Sequence, residues 1–296
     1  MWKERFIDYL RYEKNYSSQT EISYLNDIIQ FEKFVKLKDD NLSLIKVDSD
    51  IVRIWISSLI EQGFKASTVN RKLSSLKTFY RYLNKSGFIK KSPVEYVSGP
   101  KLNTKIPSFV RERQMDEILD DATNFSDDFV GIRNQLLIDF LYLTGMRRAE
   151  LISLKDNDID FSSCTIRVTG KGNKQRLIPF SDLTKVKLEK YIRIRNKEIE
   201  NKSSFLFVKE DGSAMYPKLV YKIINNHLNS ISTLSKKSPH VLRHSFATAM
   251  LNNGAEINSI KELMGHTSLS STQIYTHVTF EEMKKTYQNA HPRANK

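Results

Sequence analysis

Hydrophobic residues recur at three- and four-residue intervals through the first hundred positions, which predicts a series of short amphipathic helices. The first helix presents an apolar face from Trp2 to Leu10, and the third begins near Asp50 and ends at Gly63. A second helix is predicted to open at Ser18, because Ser18 and Glu21 have the spacing of a capping box. Its apolar face is expected to comprise Ile22, Leu25, Ile28, Ile29 and Phe34.

The fourth predicted helix runs from about Ser67 to Lys85 and combines an apolar stripe with a strongly basic remainder. The stripe follows i, i+4, i+7 spacing through Val69, Leu73, Leu76, Tyr80 and Leu83. The other faces carry candidate DNA contacts at Arg71, Lys72, Lys77, Arg81 and Lys85. Four short helices, one of them strongly basic, are typical of a small helical DNA-binding module.

A break in periodicity divides the chain into two predicted domains. Residues 96–109 contain one glycine and two prolines and show no clear pattern, which favours a linker. The first domain is therefore expected at 1–95 and the second at 110–296.

The second domain is predicted to contain both helices and strands. Helical segments are expected around 112–122 and 131–145. Thr165–Thr169 and Gln175–Pro179 alternate as strands around a glycine- and lysine-rich turn, which predicts a β-hairpin. A further short strand is expected at Phe205–Val208, and the rest is mostly helical. The predicted fold class is thus mainly α with a small antiparallel β-sheet, in two domains.

Charge and cysteine content narrow the function classes. Forty-seven Lys and Arg against thirty-four Asp and Glu give a net charge of +13. Between Lys65 and Lys105 ten residues are basic and only Glu95 is acidic, so this stretch favours a polyanion partner over an ordinary solvated surface. Cys164 is the only cysteine, and no run approaches the roughly 18 apolar residues of a membrane span. We expect a cytoplasmic, nucleoid-associated protein without a membrane partner.

Four local patterns in the second half hold residue types that are typical of catalysis. They are the segment Thr144–Leu151, the hairpin turn with Lys171, the pair His240 and His244, and Gly265-His266 followed by Tyr275. Taken singly, each has an ordinary structural interpretation. The turn lacks the spacing of a phosphate-binding P-loop, and the two histidines lack the glutamate and third ligand of a zinc helix.

Together these residues supply what phosphoryl transfer requires without a metal ion or another cofactor. The guanidinium groups of Arg147 and Arg243 can clamp the non-bridging oxygens of a phosphate and hold the negative charge of the transition state. His240 and Arg243 are three residues apart, so on a helix they project from one face. Lys171 can donate a proton to a leaving oxygen, and Tyr275 can act as a nucleophile.

At these motifs the sequence resembles the tyrosine recombinases, most closely the bacterial Xer recombinases. TGMRRAEL resembles the family's TG-[LM]-R-x-x-E-L box, and VTGKGNKQRLIPF resembles its lysine-bearing hairpin. PHVLRHSFATAML is similar to the H-x-x-R box, and LMGHTSLSSTQIYTH to the segment that ends in the nucleophile. The catalytic residues that the resemblance implies are Arg147, Lys171, His240, Arg243, His266 and Tyr275.

The resemblance covers nearly the whole chain and implies a four-helix, SAM-like core-binding domain and an α+β catalytic domain, clamped on opposite faces of a duplex. Tyr275 would form a 3′-phosphotyrosyl link at a specific recombination site in double-stranded DNA. Four protomers, of this chain or of this chain and a paralogue, would exchange strands through a Holliday junction, with an accessory protein or DNA motor as a further possible partner. The tail after Tyr275, which carries Phe280, Met283 and Tyr287 at helical spacing, would dock on a neighbouring protomer or pack on its own domain.

Several functions remain open at this point. Resolution of chromosome or plasmid dimers and integration or excision of a mobile element both fit the motifs, and the short segment before the first domain favours the simpler Xer-like type. A type IB topoisomerase would use the same chemistry. A catalytically silent DNA-binding protein would be expected to lack at least one of the six residues, and all six are present.

Overall fold

The computed structural model describes residues 2–102, 109–170, 173–199, 203–230, 234, 237–265 and 280–294. Contacts group the chain into two units, Met1–Lys105 and Ile106–Lys296. Helices dominate both units, and the sheet that the described residues form is small and antiparallel, which confirms the predicted fold class. The finer division into 1–95, 96–109 and 110–296 stays a prediction.

Helices build the first unit around an aromatic core. The helices are α1 (Trp2–Asp8), which continues as a π-helical turn (Tyr9–Glu13), α2 (Ser18–Lys38), α3 (Ser49–Glu61) and α4 (Ala66–Lys85). Phe6 meets Phe79 edge to face at 5.1 Å between ring centroids, and Phe31 lies 4.9 Å from Trp55. All five predicted apolar positions of α4 are buried, because a period of 3.6 residues places them on one side of the helix.

The start of α2 differs by one residue from the predicted capping box. Ser17 is the N-cap, and its hydroxyl accepts the backbone N–H of Thr20 at 3.4 Å, while Ser18 is the first helical residue. The Glu21 carboxylate does not bind a backbone N–H at the start of the helix, as a capping box requires, because it accepts two hydrogen bonds from the guanidinium group of Arg11. Tertiary pairing thus outcompetes the local box.

The buried face of α2 also differs from the predicted one. Ile28, Phe31 and Val35 are fully buried, whereas Ile22 is 54% exposed. Asp27 lies on the same buried face and is 2% exposed. Apolar residues are spread around this helix, so its orientation is set by what α3 and α4 present to it and not by its own pattern.

The second unit combines helices with the small sheet. Its elements are α5 (Glu112–Asp120), α6 (Phe129–Thr144), α7 (Arg148–Ser153), β1 (Ile159–Asp160), β2 (Thr165–Thr169), β3 (Gln175–Pro179), α8 (Asp182–Glu198), α9 (Pro217–His227), α10 (Pro239–Asn252), α11 (Ile257–Met264) and α12 (Phe280–Ala290). In α6 the buried residues occur on every side, as expected for a helix at the centre of a domain. α8 and α10 pack against it, and α11 and α12 contact β3.

The hairpin is confirmed with the predicted bounds of both strands. β2 and β3 pair antiparallel with Ile166 opposite Ile178 and Val168 opposite Arg176. β1 adds a third strand that the sequence did not predict, because two residues are too short to show alternation. Phe205–Val208 is not a strand; its end residues each form one isolated antiparallel bridge.

Within this single chain, α12 and the residues after it pack on their own unit, and docking on a neighbouring protomer stays a prediction. In α12 Tyr287 is 1% exposed, and the closing residue Arg293 is 4% exposed. Arg293 pairs with Asp116 at 2.6 Å and with Asp120 at 2.7 Å, and both carboxylates belong to α5. Among the described residues no helix has the length and apolarity needed to cross a bilayer.

His291 is a buried neutral side chain between α12 and the core. Its ring centroid lies 5.3 to 5.5 Å from those of Tyr142, Phe246 and Tyr287. Its Nδ1 accepts the backbone N–H of Arg293 at 3.2 Å. Burial, with the neighbouring Arg293 charge adding to it, lowers the pKa of His291 to about 3.

The pKa of His291 is lower in the folded chain than in the unfolded chain, so the unfolded chain takes up the proton first as the pH falls. The free energy of unfolding is therefore at its full value above the ordinary histidine pKa and decreases as the pH falls below it. Between pH 7 and pH 5 we expect the free energy of unfolding to fall by about 2 kcal/mol more in the wild type than in His291→Phe. Urea unfolding at each pH, followed by circular dichroism, measures the difference. Parallel pH profiles for the two proteins would contradict the prediction.

Candidate active site

The turn after α6 places Arg147 at the edge of the second unit's core. Gly145 ends α6 in the left-handed conformation, with φ of 57°, and donates its N–H to the carbonyl of Leu141 at 3.1 Å. A Cβ at this position would lie 2.4 Å from a ring carbon of Phe246, so only glycine fits. The chain then turns directly into α7, with Arg147 as its N-cap residue.

Arg147 is held by Glu150, one turn further along α7. The Arg147 backbone N–H and its Nη1 donate to the two carboxylate oxygens of Glu150 at 2.7 and 2.8 Å. Its Nη2 donates to the carbonyl of Gly265 at 2.9 Å. The Arg147 side chain remains 38% exposed, whereas that of Glu150 is only 5% exposed. The carboxylate therefore fixes the guanidinium from the protein side and leaves its outer edge accessible.

Arg243 approaches the same point from α10. It is 8% exposed, and its guanidinium donates to the carbonyls of Gly145 and Met264. Burial first, and then the positive charge of Arg147, lower the pKa of Arg243 to about 10, so the group remains charged at neutral pH. The structure thus brings together the two arginines that the sequence predicted.

His240 lies in the first turn of α10, one turn before Arg243, and is exposed. His244 points elsewhere, because its ring is 6.4 Å from that of Phe109 at the edge of the core. Among the described residues no three His, Cys, Asp or Glu side chains gather as metal ligands.

The other three predicted catalytic residues, Lys171, His266 and Tyr275, lie outside the described residues. The residues that immediately precede Lys171 and His266 are described. Gly170, which precedes Lys171, donates its N–H to the carbonyl of Lys174 at 2.8 Å across the hairpin turn. Gly265, which precedes His266, is the residue whose carbonyl Arg147 contacts.

Sequence reasoning assigned no role to Glu150 or to Arg176, and both belong to the site. Nη1 and Nη2 of Arg176 donate to the two Glu150 oxygens at 3.1 and 2.9 Å, and Nε donates to the carbonyl of Leu263 at 2.7 Å. A signal was present, because Arg176 alternates with Ile178 on the buried side of β3. A charged residue on such a face requires a partner.

The end of α11 is the common point of the site. Its last carbonyls, with that of Gly265, accept hydrogen bonds from three different arginines: Leu263 from Arg176, Met264 from Arg243 and Gly265 from Arg147. Within the part of the chain that the structure describes, Glu150 is the carboxylate that pairs with this cluster, through Arg147 and Arg176. The cluster keeps a net positive charge and can bind a phosphate.

The predicted DNA contacts of α4 divide into an exposed row and one buried residue. Arg71, Lys77, Arg81 and Lys85 are exposed, and among the described residues no ion pair involves Lys77 or Arg81. Lys72 is only 7% exposed. Its ammonium group contacts Asp27 at 2.9 Å, so Lys72 fastens α4 to α2 and does not face a ligand.

Known proteins match this chain along its length. The profile of the phage integrase family matches residues 108–282, and that of the N-terminal SAM-like domain of phage integrases matches residues 4–87. A tyrosine recombinase XerC of Bacillus licheniformis is 39% identical, and the alignment covers 98% of this chain and 96% of the relative.

Two solved structures share the fold. The XerH site-specific recombinase bound to its difH substrate before cleavage superposes with a TM-score of 0.68 at 23% identity, over 95% of this chain and 93% of that one. The Tn1549 transposon integrase in complex with circular intermediate DNA has a TM-score of 0.69 at 22% identity, over 96% of this chain and 98% of that one.

The buried carboxylate of Asp27 orients the basic face of α4. It accepts hydrogen bonds from Arg71, Lys72 and Ser75, which all belong to α4. Asp27→Asn leaves the Lys72 ammonium group buried without its counter-charge, so we expect the first unit to lose about 3 kcal/mol of stability. Asp50→Asn, which removes an exposed pair with Arg53, should change stability by less than about 1 kcal/mol.

Urea unfolding of the three proteins tests this expectation. Adding Lys72→Met to the Asp27→Asn chain should restore most of the loss, because the apolar side chain needs no partner. Equal losses for the Asp27 and Asp50 variants would contradict the assigned role of Asp27.

Proposed function

The chain belongs to the phage integrase family and is a tyrosine site-specific DNA recombinase, and we propose that it exchanges strands between two copies of a double-stranded DNA site through a covalent bond to Tyr275. The observation that carries the proposal is the convergence of Arg147 and Arg243 on neighbouring carbonyls at the end of α11. Two fixed guanidinium groups form a receptor for one phosphate.

The arginines would act on the charge of the transition state. A phosphodiester under attack carries extra negative charge on its non-bridging oxygens, and donors that already stand in place stabilise it without reorganisation. Arg243 is held by backbone carbonyls and Arg147 by Glu150, so neither has to be ordered by the substrate. This arrangement supports Arg147 and Arg243 as the phosphate clamp.

The remaining catalytic groups would move the two protons of the cleavage step and bind the phosphate. The Tyr275 hydroxyl oxygen would attack phosphorus while its proton passes to His240, and the bond from phosphorus to the 5′ oxygen would break. Lys171 would donate a proton to that oxygen, and His266 would add a hydrogen bond to the phosphate. The 5′-hydroxyl of a partner duplex then attacks the phosphotyrosyl bond and releases Tyr275. Since the covalent bond keeps the energy of the phosphodiester, rejoining needs no ATP.

The DNA would be held by both units. The exposed row of α4 supports contact with the phosphates of the site, through Lys77 and Arg81 above all. We propose that the active assembly is a synaptic tetramer, formed by this chain alone or by this chain and a paralogue. It would act on the nucleoid in the cytoplasm, and an accessory protein or DNA motor would control the reaction. The near full-length similarity to XerC relatives supports a role in resolving chromosome or plasmid dimers.

We expect wild-type protein to form a covalent DNA adduct that survives denaturation, and Tyr275→Phe to form none, because only the phenolic oxygen can bond to phosphorus. The substrate is a nicked duplex with the site recovered by in vitro selection, and the adduct is measured on denaturing gels. Yield should be unchanged in EDTA. An adduct with Tyr275→Phe, or strict dependence on a divalent ion, would contradict the proposed chemistry.

DNA affinity should fall steeply with salt, and part of this dependence should come from α4. Replacing Lys77 and Arg81 by Gln is expected to reduce the slope of log K against log salt by about 2, which is roughly 0.9 for each lost phosphate contact. Lys33 and Lys36, exposed on α2, provide a matched pair whose replacement by Gln changes the net charge equally. Equal slopes for the two double variants, measured by fluorescence anisotropy, would exclude α4 as the phosphate-contacting face.

A further inference from the structure

Arg176 connects the hairpin to two other segments of the candidate site. It lies on β3 opposite Val168, and its side chain is 13% exposed. The guanidinium forks onto Glu150, the carboxylate that also holds Arg147, and its Nε donates to the carbonyl of Leu263 near the end of α11. One side chain thus joins β3, α7 and α11.

The position of this guanidinium relative to two glycines is the central observation. A Cβ on Gly265 would lie 3.0 Å from Nη1 of Arg176, and a Cβ on Gly170 would lie 3.8 Å from the same atom. Gly170 is the residue before Lys171, and Gly265 is the residue before His266. A single planar group therefore lies against the two points at which the chain continues into these candidate catalytic residues.

We propose that Arg176 is a positioning residue of the recombinase, which sets where the segments that begin at Lys171 and His266 enter the active site. It does so by joining β3 and the end of α11, the described elements next to Lys171 and His266, to Glu150 and, through Glu150, to Arg147. The inference rests on the proposed function, since it takes Lys171 as the proton donor to the 5′ oxygen.

The contacts of Arg176 favour a positioning role over a role in filling space in the core. A buried Arg–Glu pair is a costly way to fill space, because both ions are desolvated and an apolar pair of similar volume is often as stable. The forked geometry, however, fixes distance and angle at once, which a lysine with one point of charge does not. Arg176→Lys keeps the charge but can reach only one of its two partners. Arg176→Gln removes the charge as well.

The hairpin offers a matched control. Arg167 lies on β2 beside the partner of Arg176, is 49% exposed, and contacts Asp158 and the carbonyl of Asn157. It touches neither Glu150 nor α11 among the described contacts. Arg167→Gln therefore removes an arginine from the same hairpin without disturbing the cluster.

The experiment measures single-turnover formation of the covalent adduct on two versions of the selected nicked substrate. One has the natural 5′ oxygen at the scissile phosphate and the other has sulfur there. A thiolate leaves without protonation, so cleavage of the sulfur substrate does not need a correctly placed Lys171. Wild type, Arg176→Gln, Arg176→Lys and Arg167→Gln are compared, with thermal unfolding as the check on folding.

On the oxygen substrate we expect Arg176→Gln to react about 100-fold more slowly than wild type, since a displacement near 1 Å is enough for such a loss. On the sulfur substrate at least about ten-fold of that loss should be recovered. Arg176→Lys should show the same pattern with a smaller loss, and it decides the matter if Arg176→Gln does not fold. Arg167→Gln should match wild type on both substrates.

Two outcomes would overturn the inference while leaving the proposed function intact. They are rates within about three-fold of wild type for the Arg176 variants, and losses of equal size on the oxygen and sulfur substrates. If wild type forms no adduct on either substrate, the proposed function itself fails and this inference fails with it.

Discussion

Three arginines meet the end of one helix, and the rest of the candidate site depends on this arrangement. The last carbonyls of a helix lack partners within the helix and form the negative end of its dipole. Here three successive carbonyls, those of Leu263, Met264 and Gly265, each accept a hydrogen bond from a different guanidinium group. Like charges that would repel one another are thereby held side by side before any phosphate arrives.

The cost of this arrangement is visible in the surroundings of Arg243. Burial and a neighbouring arginine both oppose its charge and lower its pKa. Glu150 offsets part of the repulsion, because it is buried between Arg147 and Arg176 and its own pKa is lowered by them against the effect of burial. In the proposed reaction a phosphodiester in its transition state would neutralise the residual positive charge, so the electrostatic strain of the free protein would become affinity for the reacting group.

The first unit also contains a buried carboxylate that pairs with basic side chains. Asp27 is buried in its interior and gathers Arg71, Lys72 and Ser75 from one helix. The carboxylate is thus satisfied and α4 is fixed in rotation about its axis, so its exposed row keeps a constant direction. In the second unit the tail plays a comparable part, since Arg293 ties the end of the chain to α5. In each case a buried ion pair links two elements of one unit, and removing one partner would leave an uncompensated buried charge.

The sequence by itself determined those features whose local period or spacing is unambiguous. The hairpin strands follow from alternation, the apolar stripe of α4 follows from 3.6-residue periodicity, and the ordered motifs predict that Arg147 and Arg243 lie close together. Tertiary structure alone decided which face of α2 is buried, that Lys72 is interior, and that Arg176 belongs to the site. Arg176 lies 87 residues from Leu263 and Lys72 lies 45 from Asp27. Local periodicity can show that a charged residue lies on a buried face, but it does not identify the distant partner, because the partner depends on where whole helices come to rest and not on the neighbours of either residue along the chain.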